Sequence, residues 1–375
     1  MNKIALCMIV KNEESVIRRC LESIYSHIDY YVICDTGSSD RTKEIIIDFF
    51  EEKKISGEIY DDEWIDFGTN RSKAIERCYG KTKWAIMIDA DDHITGNFDI
   101  SNIDDTYDGY KVNISSETLN YPRIQIFNIQ NKKWVYRNPL HEYPEYESSA
   151  RIGKINGKYT WLSGRDGNRT KKFKTVQEKY LNDYFILKNQ SHDNPRNQFY
   201  AAQSAFDAGM YDISEKEYLK RVDMGGWDQE IFYSWIKIGQ CRDVINKKHE
   251  KIINAYINAH EIDNQRIEPL YYLANFFRKI GKMKMAFLYA FSGKELEIDY
   301  EKLFVHKDQY LWKIHDEIGI SAYYAGNYEA GKNACEKLLR ENYIPEDQKG
   351  RIKNNLRFYT SSEFKNSEFV SFKNK

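Results

Sequence analysis

The sequence predicts an α/β domain over residues 1–170, built on a sheet that starts parallel and turns mixed, followed by an all-helical domain over residues 171–375. Three observations predict it. Up to about Gly96, apolar runs of strand length alternate with amphipathic helical stretches, the pattern of a parallel sheet covered on both faces. From there to about residue 170 the strand patterns are shorter and partly antiparallel. From Lys171 to Thr360 strand-length alternation is absent, and small residues and glycines recur on one template.

The elements follow in order. Lys3–Val10 (KIALCMIV) is a short, continuous apolar run and reads as the first strand. Glu13–His27 places Val16, Ile17, Cys20, Leu21, Ile24 and Tyr25 at i, i+3/i+4 spacing, an amphipathic helix. Tyr30–Cys34 is the second strand, ending at Asp35. A turn-rich Thr-Gly-Ser-Ser-Asp stretch leads to a helix from Arg41 to about Lys54, with Asp40 suited to its N-terminal cap. Glu58–Tyr60 reads as a third strand, Thr69–Tyr79 as a helix and Trp84–Ile88 as a fully buried fourth strand. Gly109–Ile114, Arg123–Ile129 and Lys133–Tyr136 read as the later, partly antiparallel strands.

In the helical half, Ala202…Gly209…Ser214, Ala274…Gly281…Ala286 and Gly319…Gly326…Gly331 share one pattern: a small residue, Gly seven positions on, another small residue five further. That is the close-packing signature of a helix–turn–helix repeat of the tetratricopeptide (TPR) type, about 34 residues per unit. The repeat glycines are 72 and 45 residues apart, so the array is irregular. A plain helical bundle with Gly-containing turns is the alternative.

Composition excludes several classes. Lys and Arg number 56 against 57 Asp and Glu, a net charge of −1, so the chain is not built to hold nucleic acid. The longest apolar run, Ile4–Val10, is far short of the ~20 residues of a membrane span, and no cleavage site follows it. A soluble protein of the cytoplasm is expected (the host cytoplasm for a viral protein), with six scattered cysteines as buried free thiols and four N-x-S/T sequons unmodified.

Four clusters carry chemistry, each just past the carboxyl end of a strand, where ligands bind on such sheets. Asp89-Ala90-Asp91-Asp92 follows the buried WAIMI strand. Its carboxylates suit a divalent cation bridging phosphates, Mn2+ or Mg2+; an acidic surface turn is the alternative. Asp35 can accept from the N3–H of a uracil ring, or can bond its own backbone as a turn residue. Val10-Lys11-Asn12-Glu13-Glu14 lies where backbone amides at a helix start favour a nucleotide, although both acids also suit the helix dipole. Trp64-Ile-Asp-Phe67-Gly-Thr-Asn70-Arg71 offers Arg71 to a diphosphate or base carbonyl, or simply as an exposed helix arginine. No G-x-G-x-x-G or P-loop motif is present, which argues against a dinucleotide enzyme or P-loop NTPase.

In this order and spacing, CMIVKNEE, VICDTGSSDRT, WIDFGTNRSKA and IDADD resemble the motifs of the inverting family 2 glycosyltransferases, whose fold is GT-A, a Rossmann-like domain with a mixed sheet. More narrowly, Asn138-Pro-Leu-His141-Glu142, Asp166-Gly-Asn-Arg169…Lys172-Phe173 and Gly225-Gly226-Trp227 are similar to segments of bacterial and viral members with a TPR-like tail. The resemblance covers about residues 1–240. It implies that Val10, Lys11 and Glu13 flank the nucleobase and ribose and that Asp35 bonds the base. It further implies that Asp89 takes the ribose or diphosphate, that Ala90 touches the ribose and that Asp91 ligates the metal. Asp89 and His141 are the further metal-ligand candidates. An inverting transfer needs one general base. Glu142 is the candidate, with Asp92 and Asp166 behind it; a structural salt bridge is the other role open to Glu142. The basic stretch Gly164–Lys172 reads as a lid over the diphosphate or as a linker. Two departures stand out: Val-Lys-Asn-Glu replaces Pro-x-Tyr-Asn in the first loop, and Ser163 stands where close relatives often carry a His.

The expectation is a metal-dependent hexosyltransferase moving a sugar from a UDP-sugar to a hydroxyl of a glycan, protein or small molecule. The helical domain would hold the acceptor, a protein partner or a second copy. A nucleotidyltransferase would need a Gly-rich loop with Arg and Lys after the first strand, which is missing. A non-catalytic TPR-type scaffold with a degenerate nucleotide-binding domain is the reading from outside enzymes.

Overall fold

The computed structural model describes residues 2–361 except 102, 116–118, 132, 165, 169–172, 190–193 and 342. Chain packing divides it into two compact units, residues 1–217 with 300–303, and residues 218–299 with 304–375.

The first unit opens with β1 (Asn2–Val10), α1 (Ile17–Ile24), β2 (Tyr30–Asp35), α2 (Thr42–Lys53), β3 (Gly57–Asp61), α3 (Phe67–Cys78) and β4 (Thr82–Met87). β5 (His93–Gly96), β6 (Gly109–Ser115), β7 (Leu119–Asn128), β8 (Trp134–Arg137), β9 (Tyr143–Tyr146), β10 (Ile152–Lys154) and β11 (Tyr159–Leu162) follow. The main sheet runs β3-β2-β1-β4-β7-β6-β11-β5, with β10 beside β6, while β8 and β9 form a separate hairpin. The strands from β3 to β4 are parallel, and β7 enters antiparallel to both β4 and β6, so the sheet is mixed as expected.

Continuous apolar strands are explained by cores on both faces. Leu6 and Met8 of β1 pack with α1 and α2 on one side, together with Phe49, Phe50 and Trp161. Ala5 and Cys7, alternating with them, pack with Ala74 and Ile75 of α3 and with Trp134 and Tyr136 on the other. All six cysteines are buried, and none forms a disulfide.

Two features differ from the sequence expectation. Helix α1 starts at Ile17 rather than Glu13, because residues 11–16 form a loop whose amides are held by neighbours: Glu13 N donates to Thr42 Oγ1 (2.7 Å) and Glu14 N to Asp40 Oδ2 (3.2 Å). The short strands β5, β9, β10 and β11, three or four residues each, were not legible, since so few residues carry no readable alternation.

The change from strands to helices falls near residue 171 as expected, yet the packing boundary lies near Glu217. Helices α4 (Val176–Lys188) and α5 (Pro195–Asp207) belong with the first unit. Their Tyr184, Leu187, Ala201 and Ala205 bury against Leu140, with Phe67 and Met210 alongside, and that shared core sets the boundary.

The remaining helices are α6 (Tyr211–Asp223), α7 (Asp228–Val244), α8 (His249–Ile262), α9 (Glu268–Lys279), α10 (Met283–Ser292), α11 (Ile314–Ser321), α12 (Tyr328–Arg340) and α13 (Glu346–Thr360). They form helix hairpins of the TPR type. Gly209, Gly281 and Gly326 each sit in the hairpin turn at φ +81°, +75° and +74°. The next residue's N–H closes the turn onto the carbonyl five positions back: Met210 to Ala205, Lys282 to Phe277, Asn327 to Ala322. Asn246 makes a fourth such turn at φ +53°, with Lys247 N–H donating to Arg242 O. Seven positions before it stands buried Gly239, where a Cβ would meet the Tyr256 ring at 2.4 Å. Asn246 lies 37 residues after Gly209 and 35 before Gly281, so the apparent 72-residue gap hides one repeat. The sequence template missed it because Asn, which also tolerates the left-handed conformation, replaces Gly, and because Lys251 stands where the template has a small residue.

This assignment fixes an outcome. Asn246→Gly should keep or slightly raise the thermal midpoint, whereas Asn246→Ala should lose about 1–2 kcal/mol of stability from the left-handed backbone alone. Thermal unfolding of both variants measures it, and an unaffected Ala variant would remove Asn246 from the repeat turns.

Candidate active site

β1 and β2 end level, Val10 opposite Asp35, so the loops that follow them share one edge of the sheet. The two loops are stitched together: Asn12 N donates to Ser38 Oγ (2.9 Å) and Asn12 Oδ1 accepts from Ser39 N (2.6 Å). Asp35 is 1% exposed. Its Oδ1 accepts from Gly37 N (2.8 Å) and Ser38 N (2.7 Å), the turn-forming role, while buried Oδ2 has no hydrogen-bond partner among the described residues. Buried carboxylate oxygens are nearly always satisfied. This one therefore offers a buried acceptor to an N–H donor from a ligand.

A cavity of about 440 Å³ opens at this edge, lined by Val10, Lys11, Glu13 and Thr36 on one side and by Trp64, Phe67 and Leu140 on the other. Trp64 packs edge-on against Phe67 at 4.8 Å and stays 40% exposed. The sequence quoted both aromatics in a motif without giving them a role. Glu13 does not stand alone in the cavity wall: its carboxylate accepts from Asn168 N (3.2 and 3.1 Å), and Asn168 Nδ2 donates to Lys11 O (3.3 Å).

The Asp89–Asp92 carboxylates are separated by their surroundings. Asp89 Oδ1 is paired with Arg71 Nη2, and Arg123 lies 3.7 Å from its Oδ2. Burial alone would raise the Asp89 carboxyl, but the Arg71 and Arg123 charges outweigh it and hold it below the usual range. Arg71 is 4% exposed. Its Nε donates to Glu142 Oε1 at 2.7 Å, and the guanidinium lies over the Tyr136 ring. Arg123 also lies 3.7 Å from Glu142. Two arginines and two carboxylates thus form a cluster around the buried Arg71. Arg71 is accordingly not an exposed helix residue: Asp89 and Glu142 engage its Nη2 and Nε, while its buried Nη1 has no hydrogen-bond partner among the described residues. Glu142 occupies the salt-bridge role that the sequence left open beside the catalytic one. Arg123 had no sequence signal beyond its place in a strand.

Asp91 is different. Burial and the neighbouring Asp89 charge raise its carboxyl above the usual range. Gly164 and Gly167 press on it: a Cβ at Gly164 would lie 2.1 Å from Asp91 O, and one at Gly167 3.0 Å from its Oδ2. Ala90, between the two acids, is 6% exposed. Asp92, 2% exposed, accepts from Trp161 Nε1 and Gly164 N, both at 3.0 Å, and burial plus the Asp89 charge push its carboxyl up to about 7. With each oxygen accepting from an N–H inside the fold, Asp92 also anchors the chain between β4 and β11. Asp166 is held bidentately by Arg19 at 2.8 and 2.9 Å, an arginine pairing like that of Glu142 with Arg71. Of the basic stretch, residues 165 and 169–172 lie outside the described residues.

His141 adopts φ +53° and stacks flat on Tyr200, centroids 3.9 Å apart. Among the described residues no three His, Cys, Asp or Glu side chains converge to hold a metal, so the set Asp89, Asp91 and His141 is not assembled. A cation that coordinates substrate phosphates needs only one or two protein carboxylates. Asp91 fits that demand: its carboxyl is raised by burial and then by a neighbouring acid, and a cation would offset both.

Residues 5–134, within the N-terminal unit, match the model of the family described as Glycosyl transferase family 2. Over 95 residues the chain is 33% identical to the TPR repeat-containing protein Synpcc7942_0270 of Synechococcus elongatus, a stretch covering 25% of this chain and 22% of that protein. Over 84 residues it is 34% identical to the SPbeta prophage-derived glycosyltransferase SunS of Bacillus subtilis (strain 168), covering 22% and 19%. The matches thus span about a fifth of the length of these curated relatives. Among solved structures, S. aureus TarS 1-349 in complex with UDP-GlcNAc aligns at TM-score 0.35 and 14% identity, covering 70% of this chain and 92% of that one.

The buried cluster sets the expectation for Arg71. Replacing it by Met takes the main partner from the part-buried carboxylates of Asp89 and Glu142 and should destabilise the chain by up to about 3–5 kcal/mol, the range for breaking a fully buried pair, read from denaturant unfolding. A variant of normal stability that lost only nucleotide affinity would return Arg71 to the diphosphate.

Proposed function

We propose that this chain is a metal-dependent, inverting glycosyltransferase that moves a hexose from a UDP-sugar to an acceptor hydroxyl on a glycan, protein or small molecule. The observation that carries the reading is the pairing, at one sheet edge of a family 2 domain, of an unpartnered buried acceptor at Asp35 with the carboxylate of Asp91. In this reading Asp35 Oδ2 accepts from the N3–H of uracil, where cytosine has an acceptor and no proton. The cavity wall of Trp64 and Phe67 gives the base an apolar face. Asp89, fixed by Arg71, and Ala90 border the ribose, and Asp91 holds Mn2+ or Mg2+. A bound divalent ion supplies charge for the leaving diphosphate.

The acceptor's proton is assigned to Glu142. Its Oε1 is held by Arg71, so the role falls to Oε2. Arg71 thereby fixes the carboxylate on either side of it. The helical repeats hold the acceptor or a partner.

The test is Mn2+-dependent stabilisation by UDP, with transfer or slow hydrolysis of a UDP-sugar. UDP at 100 times its dissociation constant should add ~2.7 kcal/mol. Asp91→Asn should abolish turnover and the Mn2+-dependent part of that gain while the ligand-free midpoint stays. A variant that keeps metal-dependent turnover would end the assignment.

The base pocket yields a second outcome. Asp35→Asn can keep Oδ1 in its turn while replacing the free oxygen with an N–H donor. UDP binding should weaken by about 1.5–3 kcal/mol, the worth of a hydrogen bond to a charged group, and the preference over CDP should shrink. Calorimetric titration of both nucleotides reads it; unchanged affinities would move the base elsewhere.

A further inference from the structure

Arg19, on α1, makes contacts that the functional reading does not use. Its Nη1 and Nη2 grip both oxygens of Asp166 (2.8 and 2.9 Å), and the same Nη2 donates to the main-chain carbonyl of Asp91 at 2.8 Å. One planar guanidinium therefore ties the Asp91 backbone to Asp166, in the segment of Gly164 and residues 166–168. That segment is fixed to its surroundings at two further places. Gly164 N donates to Asp92 Oδ1 (3.0 Å), and Asn168 N donates to the Glu13 carboxylate (3.2 and 3.1 Å). Between these points Gly164 and Gly167 lie so close to Asp91 that neither has room for a side chain without displacement. Gly164 and Gly167 are thus laid against Asp91, and the Arg19 fork joins Asp166, between them in sequence, to the Asp91 backbone directly.

We infer that Arg19 is a positioning residue: with Asp166 it sets the orientation of the Asp91 carboxylate toward the divalent cation. This rests on the proposed function, in which Asp91 is the metal ligand. A guanidinium is suited to the task because it presents several N–H groups in one rigid plane and can serve a carbonyl and a carboxylate together. A lysine, with one point charge, holds either partner but not the bidentate geometry. Partners that orient a metal ligand typically govern metal affinity by about 10–100-fold, and the same size of effect is expected here.

The test separates orientation from charge and from stability. Mn2+ is titrated against the full-length chain at fixed UDP, and the half-saturating concentration is read from the thermal shift. Arg19→Lys keeps the charge near Asp91 and should raise that concentration about 10–100-fold. Asp166→Asn should do the same. Because both break one link, the double variant should be no worse than either single. The midpoint without ligand should barely move in all three, since exposed ion pairs add little stability. Titrations matching the unaltered chain would overturn the inference. So would a double variant whose effect is the product of the singles, which marks two independent roles. If the unaltered chain itself shows no Mn2+-dependent response to UDP, the proposed function falls first, and that result is distinct from either.

Discussion

The site depends on one buried interaction, the Arg71 guanidinium held between Asp89 and Glu142. A charge in an apolar interior is tolerable only when it is paired and hydrogen-bonded. Arg71 meets that condition by drawing one carboxylate from the end of β4 and another from the segment before β9, with Arg123 close to both. In meeting it, the arginine pins two stretches of chain that come from different parts of the fold to the same corner of the sheet. Loss of either partner would leave the rest of the cluster unbalanced, so the geometry at this corner is set by charge neutrality as much as by packing.

That pairing also gives three adjacent acids three different characters. Asp89 is held ionised by its arginines. Asp92 is turned inward to Trp161 and Gly164 and braces the loop from beneath. Asp91 sits beside the charge of Asp89, its carboxyl raised by burial and by that charge, and is the acid for which a cation would be most favourable. Neighbouring residues of one type thus diverge because the strand end aims each at a different environment, the general way in which like side chains acquire unlike chemistry.

The helical repeats obey a more local rule. Each hairpin needs a left-handed residue to reverse the chain and a small residue to let the helices approach, and the four turns at Gly209, Asn246, Gly281 and Gly326 meet it with the same closing hydrogen bond. Gly331 shows how tight the approach is, since a Cβ there would meet the Tyr359 ring at 2.2 Å.

The sequence by itself determined what depends on near neighbours. The alternation of strands and helices, the acids placed just past strand ends and three of the four repeat turns follow from periodicity and from residues whose conformational preferences act within a few positions. The fourth turn was hidden because Asn can do what Gly does and because Lys251 stands where the template has a small residue. The tertiary structure alone decided which acid has which partner. Arg71 meets Glu142 across 71 positions, Asp92 meets Trp161 across 69 and Arg19 meets Asp166 across 147. No local spacing encodes such pairs. They exist because strands distant in sequence are neighbours in the sheet, which brings the helices and loops that follow those strands side by side.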